Sequence, residues 1–148
     1  MNNTIVKNKV TSHTFKILIA FLFTILIALS SKISVPFYPV PMTMQTFVVL
    51  FTGFTLGARY GFIALSFYIL EGALGLPVFA GTPAKGVGIA YLLGPTGGYI
   101  LGYAFTAFLA GIFFSKRNIF FSKKNLPITF IKLTIALTPT YLIGILWL

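Results

Sequence analysis

Residues 15–33 read FKILIAFLFTILIALSSKI, and this apolar stretch decides the fold class. It approaches the roughly 20 residues that an α-helix needs to cross the hydrocarbon core of a bilayer. The rest of the 148-residue chain has the same character, because 57% of all residues are hydrophobic and only 8% are charged. A soluble domain carries about a quarter charged residues. The sequence therefore predicts an all-α membrane protein built as a bundle of transmembrane helices.

Four more apolar spans follow, at residues 44–58, 60–76, 97–114 and 126–148. Span two is short for a crossing, and the gap after it is so small that spans two and three must form a tight antiparallel pair. We expect five transmembrane helices in a single membrane-embedded domain, residues 15–148, after a cytoplasmic tail, residues 1–14. Residues 28–30 resemble a signal-peptide cleavage site, but the membrane-like sequence beyond them favours an uncleaved first helix.

Basic residues occupy alternate gaps between the apolar spans. The larger set shares one predicted side of the membrane: Lys7, Lys9, Lys16, Arg59, Lys116, Arg117, Lys123 and Lys124. Lys32 and Lys85 fall on the other side, and Lys132 can snorkel back to the first. By the positive-inside rule the N-terminus is therefore cytoplasmic. The aromatic residues lie inside apolar spans and do not interleave with lysines, so the net charge of +10 does not indicate nucleic-acid binding.

The chain lacks the residues that most enzyme mechanisms need. Glu71 is the only acidic residue, cysteine is absent, and His13 is the only histidine. Paired carboxylates, a thiolate, a histidine-based triad and a metal cage are all excluded by this composition. We expect a protein that is not an enzyme, holds no metal or cofactor, and does not itself hydrolyse a nucleotide.

Two irregular segments lie on the predicted outer side. The proline loop, residues 35–41, holds three prolines, and the glycine-rich stretch, residues 77–98, shows no helical or strand periodicity. Irregular backbone at membrane depth is tolerated where it is buried in protein or lines a cavity. We favour the glycine-rich stretch as a binding mouth, with Thr96 capping the next helix, whose amide end suits an anion. The alternative is a surface loop that only connects two helices.

Each candidate ligand residue also has a structural interpretation. Glu71 accepts hydrogen bonds from a ligand, or it reaches interfacial water or pairs with Lys85. Lys85 pairs with a substrate carboxylate, or it is a solvated loop lysine. Gln45 contacts the ligand or satisfies the end of its helix. Tyr91 and Tyr99 stack on a flat ligand or belong to the aromatic belt at the membrane surface.

Ala20, Thr24 and Ala28 recur at every fourth position and form one stripe of small side chains on the first helix. Such stripes allow close approach of another helix within a membrane. The spacing leaves open whether that helix belongs to this chain or to a separate protein, and internal packing is the default.

Three stretches resemble a known family. They are VPMTMQT at residues 40–46, GLPVFAG at residues 75–81 and LGPTGGYILGY at residues 93–103. They are similar to BioY, the biotin-specific substrate-binding subunit (S component) of energy-coupling factor (ECF) transporters.

The resemblance implies a six-helix fold in a bacterial plasma membrane, with the vitamin pocket near the outer face. It also implies biotin as ligand, and a membrane coupling protein with two ATPase subunits as partners. The stripe of Ala20, Thr24 and Ala28 would dock the coupling protein. The substrate-binding residues expected on this basis are Gln45, Glu71, Lys85, Tyr91, Gly94, Thr96, Gly97, Gly98 and Tyr99. The ureido ring would use Gln45, Glu71 or loop backbone, and the carboxylate would use Lys85 or the start of the fourth helix.

This sequence departs from the family pattern at two places. Thr24 stands where the family prefers alanine, which keeps the surface small. The sequence ends at Leu148 within an apolar run, so five helices of an expected six are present. In the family the sixth helix supplies an acidic residue and a lysine that hold the vitamin's carboxylate. The alternative expectation is therefore a truncated, nonfunctional or purely structural remnant of the family.

Overall fold

The computed structural model describes residues 2–114 and 126–148, and in the first segment it describes side chains from residue 13 onward. The elements follow in the order α1 Asn2–Lys32, β1 Ser34–Val35, β2 Met42–Thr43, α2 Gln45–Ala73, α3 Ile89–Leu92, α4 Gly97–Phe114 and α5 Leu126–Trp147. The predicted all-α class is confirmed. Two additions are small: β1 and β2 form a two-residue antiparallel ladder at the base of the proline loop, and α3 is a single turn inside the glycine-rich stretch.

Helix α2 is folded back on itself at Gly57. That residue has φ +76° and ψ 174°, a backbone conformation outside the helical region that glycine adopts readily because it has no Cβ. A Cβ placed on Gly61 would lie 3.2 Å from Cα of Gly53. Gln45 and Tyr68 are hydrogen-bonded, although a straight helix would separate them by about 35 Å. The two arms, residues 45–56 and 58–73, are the predicted antiparallel pair.

Four helices of the described chain are long and apolar enough to cross a membrane: residues 13–32, 45–73, 97–114 and 126–147. Because the second of these helices is a hairpin of two arms, the four helices cross or partly cross the membrane five times. The first arm of α2, about 18 Å long at 1.5 Å per residue, is short of a full crossing, as its sequence predicted. Helix α1 begins at Asn2, so most of the predicted cytoplasmic tail, residues 1–14, has a helical backbone. Lys116, Arg117, Lys123 and Lys124, which the orientation argument uses, lie outside the described residues.

Helix α4 packs between the α2 hairpin and α5, and glycines allow the close contacts. A Cβ on Gly111 would lie 2.0 Å from the amide nitrogen of Ala58 in α2, and one on Gly102 would lie 2.6 Å from Cα of Thr140 in α5. The hydroxyls of Thr106 and Thr140 form a buried 2.7 Å hydrogen bond between α4 and α5. Small residues and hydroxyl pairs hold membrane helices together in this way.

Candidate functional site

A cavity lies under the proline loop, between α3 and the ends of α2 and α4 that are near that loop. Its enclosed space is about 20 Å³, enough for one water molecule. Its lining combines apolar walls with a few hydroxyl and amide groups: Val40, Pro41, Thr43, Gln45, Ala80, Tyr91, Thr96, Tyr99, Ile100 and Tyr103. A second space of about 270 Å³, near the lower end of small-molecule sites, shares the proline-loop edge and both tyrosines of α4, and it reaches Thr140 and Tyr141 on α5. The site is therefore a small cavity continued by an open cleft toward α5.

Gln45 is the amide that lines this cavity, and its orientation is fixed by hydrogen bonds. The Thr43 hydroxyl, on the last residue of β2, donates to Oε1 of Gln45 at 3.1 Å. Nε2 of Gln45 donates to the Tyr68 hydroxyl at 2.6 Å, and that hydroxyl donates to the carbonyl of Val78 at 3.1 Å. A buried amide with both ends bonded is held in one orientation. The chain of bonds runs from the cavity wall to the glycine-rich stretch.

The first part of that stretch, residues 77–86, forms a capping loop that the end of α1 fastens in place. Ser31 donates to the Val78 carbonyl at 2.8 Å. The exposed Lys32 ammonium donates to the Phe79 carbonyl at 2.9 Å and to the Thr82 carbonyl and hydroxyl at 3.2 Å. These bonds add to the few turn hydrogen bonds within the segment, such as that from the Thr82 amide to the Phe79 carbonyl at 3.3 Å.

Phe79 anchors the capping loop from below. Its side chain is 0% exposed and lies between two tyrosines, edge-on to Tyr68 at 5.4 Å and stacked on Tyr91 at 5.2 Å. Gly72 leaves the space for the ring, since a Cβ there would lie 2.0 Å from the tip of Phe79. Aromatic pairs of this kind contribute about 0.5–1.5 kcal/mol beyond the area they bury. Phe79 therefore holds the first part of the capping loop against the helices, while residues 83–86 are exposed.

Tyr91, on α3, joins the capping loop to the cavity. Its hydroxyl donates to the Ala80 carbonyl, and its ring lines the cavity beside Thr96. Burial raises the pKa of the Tyr91 phenol, and a hydrogen bond with the Thr96 side chain lowers it by less. The phenol consequently stays protonated near neutral pH and acts as a donor.

Four of the predicted substrate-binding residues meet in this cavity: Gln45, Tyr91, Thr96 and Tyr99. The three predicted glycines are not among the described residues that line it. A Cβ on Gly97 would lie 1.6 Å from the Leu92 carbonyl oxygen, and one on Gly98 would lie 2.3 Å from Cβ of Trp147. The Gly94 carbonyl accepts a 3.2 Å hydrogen bond from the Trp147 indole. Close approach of α3 and α5 accounts for glycine at positions 97 and 98, and contact of the three glycines with a substrate stays a prediction.

Glu71 and Lys85 are not among the described residues that line the cavity. Glu71 faces α1, where its Oε1 accepts a 2.9 Å hydrogen bond from Thr24, and Lys85 is exposed at the end of the capping loop. No ion pair joins the two within the described part of the chain. Contact of either residue with a substrate stays a prediction.

The stripe of small residues on α1 packs inside the chain. Ala20 and Thr24 are 0% exposed, Ala28 is half-buried, and Thr24 contacts Glu71 of α2. Internal packing, the default interpretation of the spacing, accounts for this face of α1. Docking of a coupling protein there stays a prediction.

Sequence reasoning missed several members of the site. Ile100 and Tyr103 follow Tyr99 by one and four residues on α4, and the spacing of Tyr99 and Tyr103 places both rings on one face of the helix. That signal was present in the sequence. Lys32 carried no such signal, because its carbonyl partners lie about 50 residues away.

Comparison with known proteins identifies relatives of this chain. The model of the BioY family matches residues 2–148. A probable biotin transporter BioY of Pyrococcus horikoshii is 39% identical over 127 residues, which cover 86% of this chain and 70% of that protein. The biotin transporter BioY of Thermotoga maritima is 46% identical over 99 residues, which cover 67% of this chain and 57% of that protein.

One solved structure has the same fold. It is the crystal structure of the S-component for biotin from an ECF-type ABC transporter. The match has a TM-score of 0.72 and 29% sequence identity, and it covers 99% of this chain and 74% of that chain. The present chain therefore corresponds to about three-quarters of the solved protein.

Proposed function

This chain belongs to the BioY family, and from that membership we propose that it is the biotin-capturing S component of an ECF-type transporter. It binds biotin in the cavity under the proline loop together with the cleft that continues it, and both open on the outer side of the plasma membrane when the N-terminus is cytoplasmic. The proposal assigns uptake of the vitamin to this multi-pass membrane protein and assigns no chemical reaction to it.

The polar pattern of the cavity is the observation that carries the proposal. Gln45 offers one amide to the interior, and Thr43 and Thr96 offer hydroxyls. A ureido ring presents two N–H donors and one carbonyl acceptor, so an amide and hydroxyls can satisfy both kinds of group. Tyr99 and Ile100 supply apolar wall for the thioether ring and the aliphatic chain. Sites for small molecules combine apolar walls with a few placed polar groups in this way.

The ligand's carboxylate fits best at the start of α4. Thr96 lines the cavity, and the 18-residue helix begins at the next residue, Gly97. The amide end of a helix carries a partial positive charge that stabilises an anion by about 0.3–1 kcal/mol at exposed sites. Lys85 remains the alternative cation, since it is exposed on the same side of the fold.

Entry of biotin requires the capping loop to move. Residues 77–86 cover the cavity at Ala80, and glycines with positive φ flank them, at +97° for Gly75 and +69° for Gly88. Release of the bonds from Ser31 and Lys32 would free the loop between these two flexible points. Capture is then closure of the loop over the ligand.

The energy for transport comes from partner subunits. Phosphoryl-transfer sites hold their metal and position water with acidic or amide side chains around a phosphate-binding loop, and the only acid here is Glu71, bonded to Thr24. The coupling protein and two ATPase subunits of an ECF complex would supply hydrolysis. Docking on the small-residue stripe requires α1 to separate from Glu71.

The direct test is equilibrium binding of labelled biotin to the purified protein in detergent, with thiamine and riboflavin as controls. We expect saturable binding of biotin that neither control displaces. A monodisperse, helical protein that binds none of the three would refute the proposal and favour the structural remnant. The circular dichroism spectrum shows in the same sample whether the protein is folded.

A further inference from the structure

A second site lies on the membrane-facing side of the bundle, away from the biotin cavity. It is a groove of about 500 Å³ between the second arm of α2 and α4, lined by Arg59, Phe62, Ile63, Phe105 and Phe108. The Phe62 ring meets Phe105 edge-on at 5.9 Å and Phe108 at 6.2 Å. Its lining within the described part of the chain is therefore three phenyl rings and one isoleucine, with Arg59 as the one cation.

Arg59 marks one end of the groove. It follows the Gly57 bend by two residues, so it stands where the second arm of α2 begins, and its side chain is exposed. Its guanidinium is charged at all physiological pH values. Glu71, the only acid in the sequence, lies 12 positions further along the arm, about 18 Å away, and it is bonded to Thr24. No acidic side chain of the protein neutralises Arg59.

A second cation lies near the same bend. The Lys16 ammonium lies over the Tyr60 ring, 5.4 Å from its centre, and Tyr60 follows Arg59 directly in the sequence. Basic groups from α1 and α2 thus collect at one level of the membrane, next to the apolar groove. A basic patch beside helices of a membrane protein attracts anionic headgroups.

We propose that this groove binds one anionic phospholipid. The headgroup phosphate accepts hydrogen bonds from the forked guanidinium of Arg59, and one acyl chain lies along the phenyl rings toward the membrane centre. A choline headgroup brings its own positive charge to the basic patch, so a zwitterionic lipid is disfavoured there. The site does not depend on the proposed biotin function, because it shares no residue with that cavity.

Native mass spectrometry of the protein released from neutral detergent tests the site, with phosphatidylglycerol and phosphatidylcholine of identical acyl chains added in equal amounts. We expect one phosphatidylglycerol to be retained about fivefold more than phosphatidylcholine, since one basic contact at a membrane surface has an effect of that order. Arg59→Gln removes the preference and Arg59→Lys keeps part of it. The matched control is Lys132→Gln, since Lys132 is a half-buried lysine near the start of α5 that is outside the groove.

Three results overturn the proposal: equal retention of both lipids, an equal loss of preference in Lys132→Gln, or displacement of the lipid by millimolar inorganic phosphate. The last would show that the headgroup alone is recognised and that the groove holds no acyl chain. If Arg59→Gln does not fold, the wild-type protein decides the question, because the preference must fall at high salt.

Discussion

The amide of Gln45 donates a 2.6 Å hydrogen bond to the hydroxyl of Tyr68, and so joins the two arms of α2 at their ends away from Gly57. Tyr68 passes the connection on to the carbonyl of Val78 in the capping loop. Gln45 therefore lines the cavity and also bonds to Tyr68, the residue that holds the capping loop. A ligand that bonds to Gln45 acts on the position of the capping loop through two hydrogen bonds.

Gln45→Leu tests the cavity assignment. The substitution removes the amide from the lining and leaves the Tyr68 hydroxyl without its donor, and an unpaired buried polar group costs about 1–3 kcal/mol. We expect biotin affinity to fall by about ten- to hundredfold in equilibrium binding.

Tyr68→Phe is the matched control for that experiment. It removes the same hydrogen bond and the bond to the Val78 carbonyl, but it leaves the amide of Gln45 in the cavity, so we expect a smaller loss of affinity. If Tyr68→Phe weakens binding as much as Gln45→Leu does, the amide acts through Tyr68 on α2 and the capping loop and does not contact the ligand.

Lys32→Met tests the capping loop as a moving cover. The methionine keeps an unbranched side chain one atom shorter than that of lysine but loses the bonds to the Phe79 and Thr82 carbonyls. A looser cover lets the ligand escape sooner, so we expect the dissociation rate of biotin to rise by about fivefold, the equivalent of one charge-assisted bond weakened by solvent.

Chase of labelled biotin measures that rate, with Lys132→Met as the control. Lys132 lies on α5, outside the bonds that hold the loop. An unchanged dissociation rate in Lys32→Met would show that the loop does not limit exit.

The sequence was sufficient to predict most of the helical architecture. Residues 97–114 and 126–148 were bounded as α4 and α5 to within one residue, because apolar length is the dominant signal in a membrane. The short gap at Arg59 between two apolar spans predicted the antiparallel pair that forms the α2 hairpin. The β1–β2 ladder and α3 were missed, because elements of two to four residues depend on tertiary contacts and leave no periodic pattern.

The site was predictable only in part. Gln45, Tyr91, Thr96 and Tyr99 lie next to proline or glycine motifs, which mark irregular backbone. The sequence could not tell which way Glu71 points, and in the structure it contacts Thr24 on α1. A helix position fixes the face of a residue only after its neighbours are known, so the direction of a lone acid is a tertiary property.

A double-mutant cycle between Thr24 and Glu71 separates a structural role from a ligand role. If the 2.9 Å bond holds α1 to α2, Thr24→Val and Glu71→Leu each destabilise the protein, and their effects are not additive. We expect a coupling energy of about 0.5–1.5 kcal/mol in denaturant unfolding and little change in biotin affinity. Loss of biotin binding in Glu71→Leu but not in Thr24→Val would instead assign Glu71 to the ligand, as the sequence predicted.

Gly57→Ala tests the bend on which the whole arrangement depends. Nothing lies within 4 Å of a Cβ at this position, so the substitution creates no clash and its effect is confined to the backbone. With φ at +76° and ψ at 174°, alanine would be forced into a region that only glycine occupies readily, at a cost of about 1–3 kcal/mol. We expect that loss in the free energy of unfolding, together with weaker biotin binding.

Thr55→Ala is the control, because the exposed Thr55 hydroxyl bonds to carbonyls of its own arm, and its effect should stay within about 0.5 kcal/mol. A Gly57→Ala protein as stable as the wild type would mean that α2 runs straight through residue 57. Gln45 and Tyr68 would then be too far apart to bond, and the cavity would lose the amide that defines it.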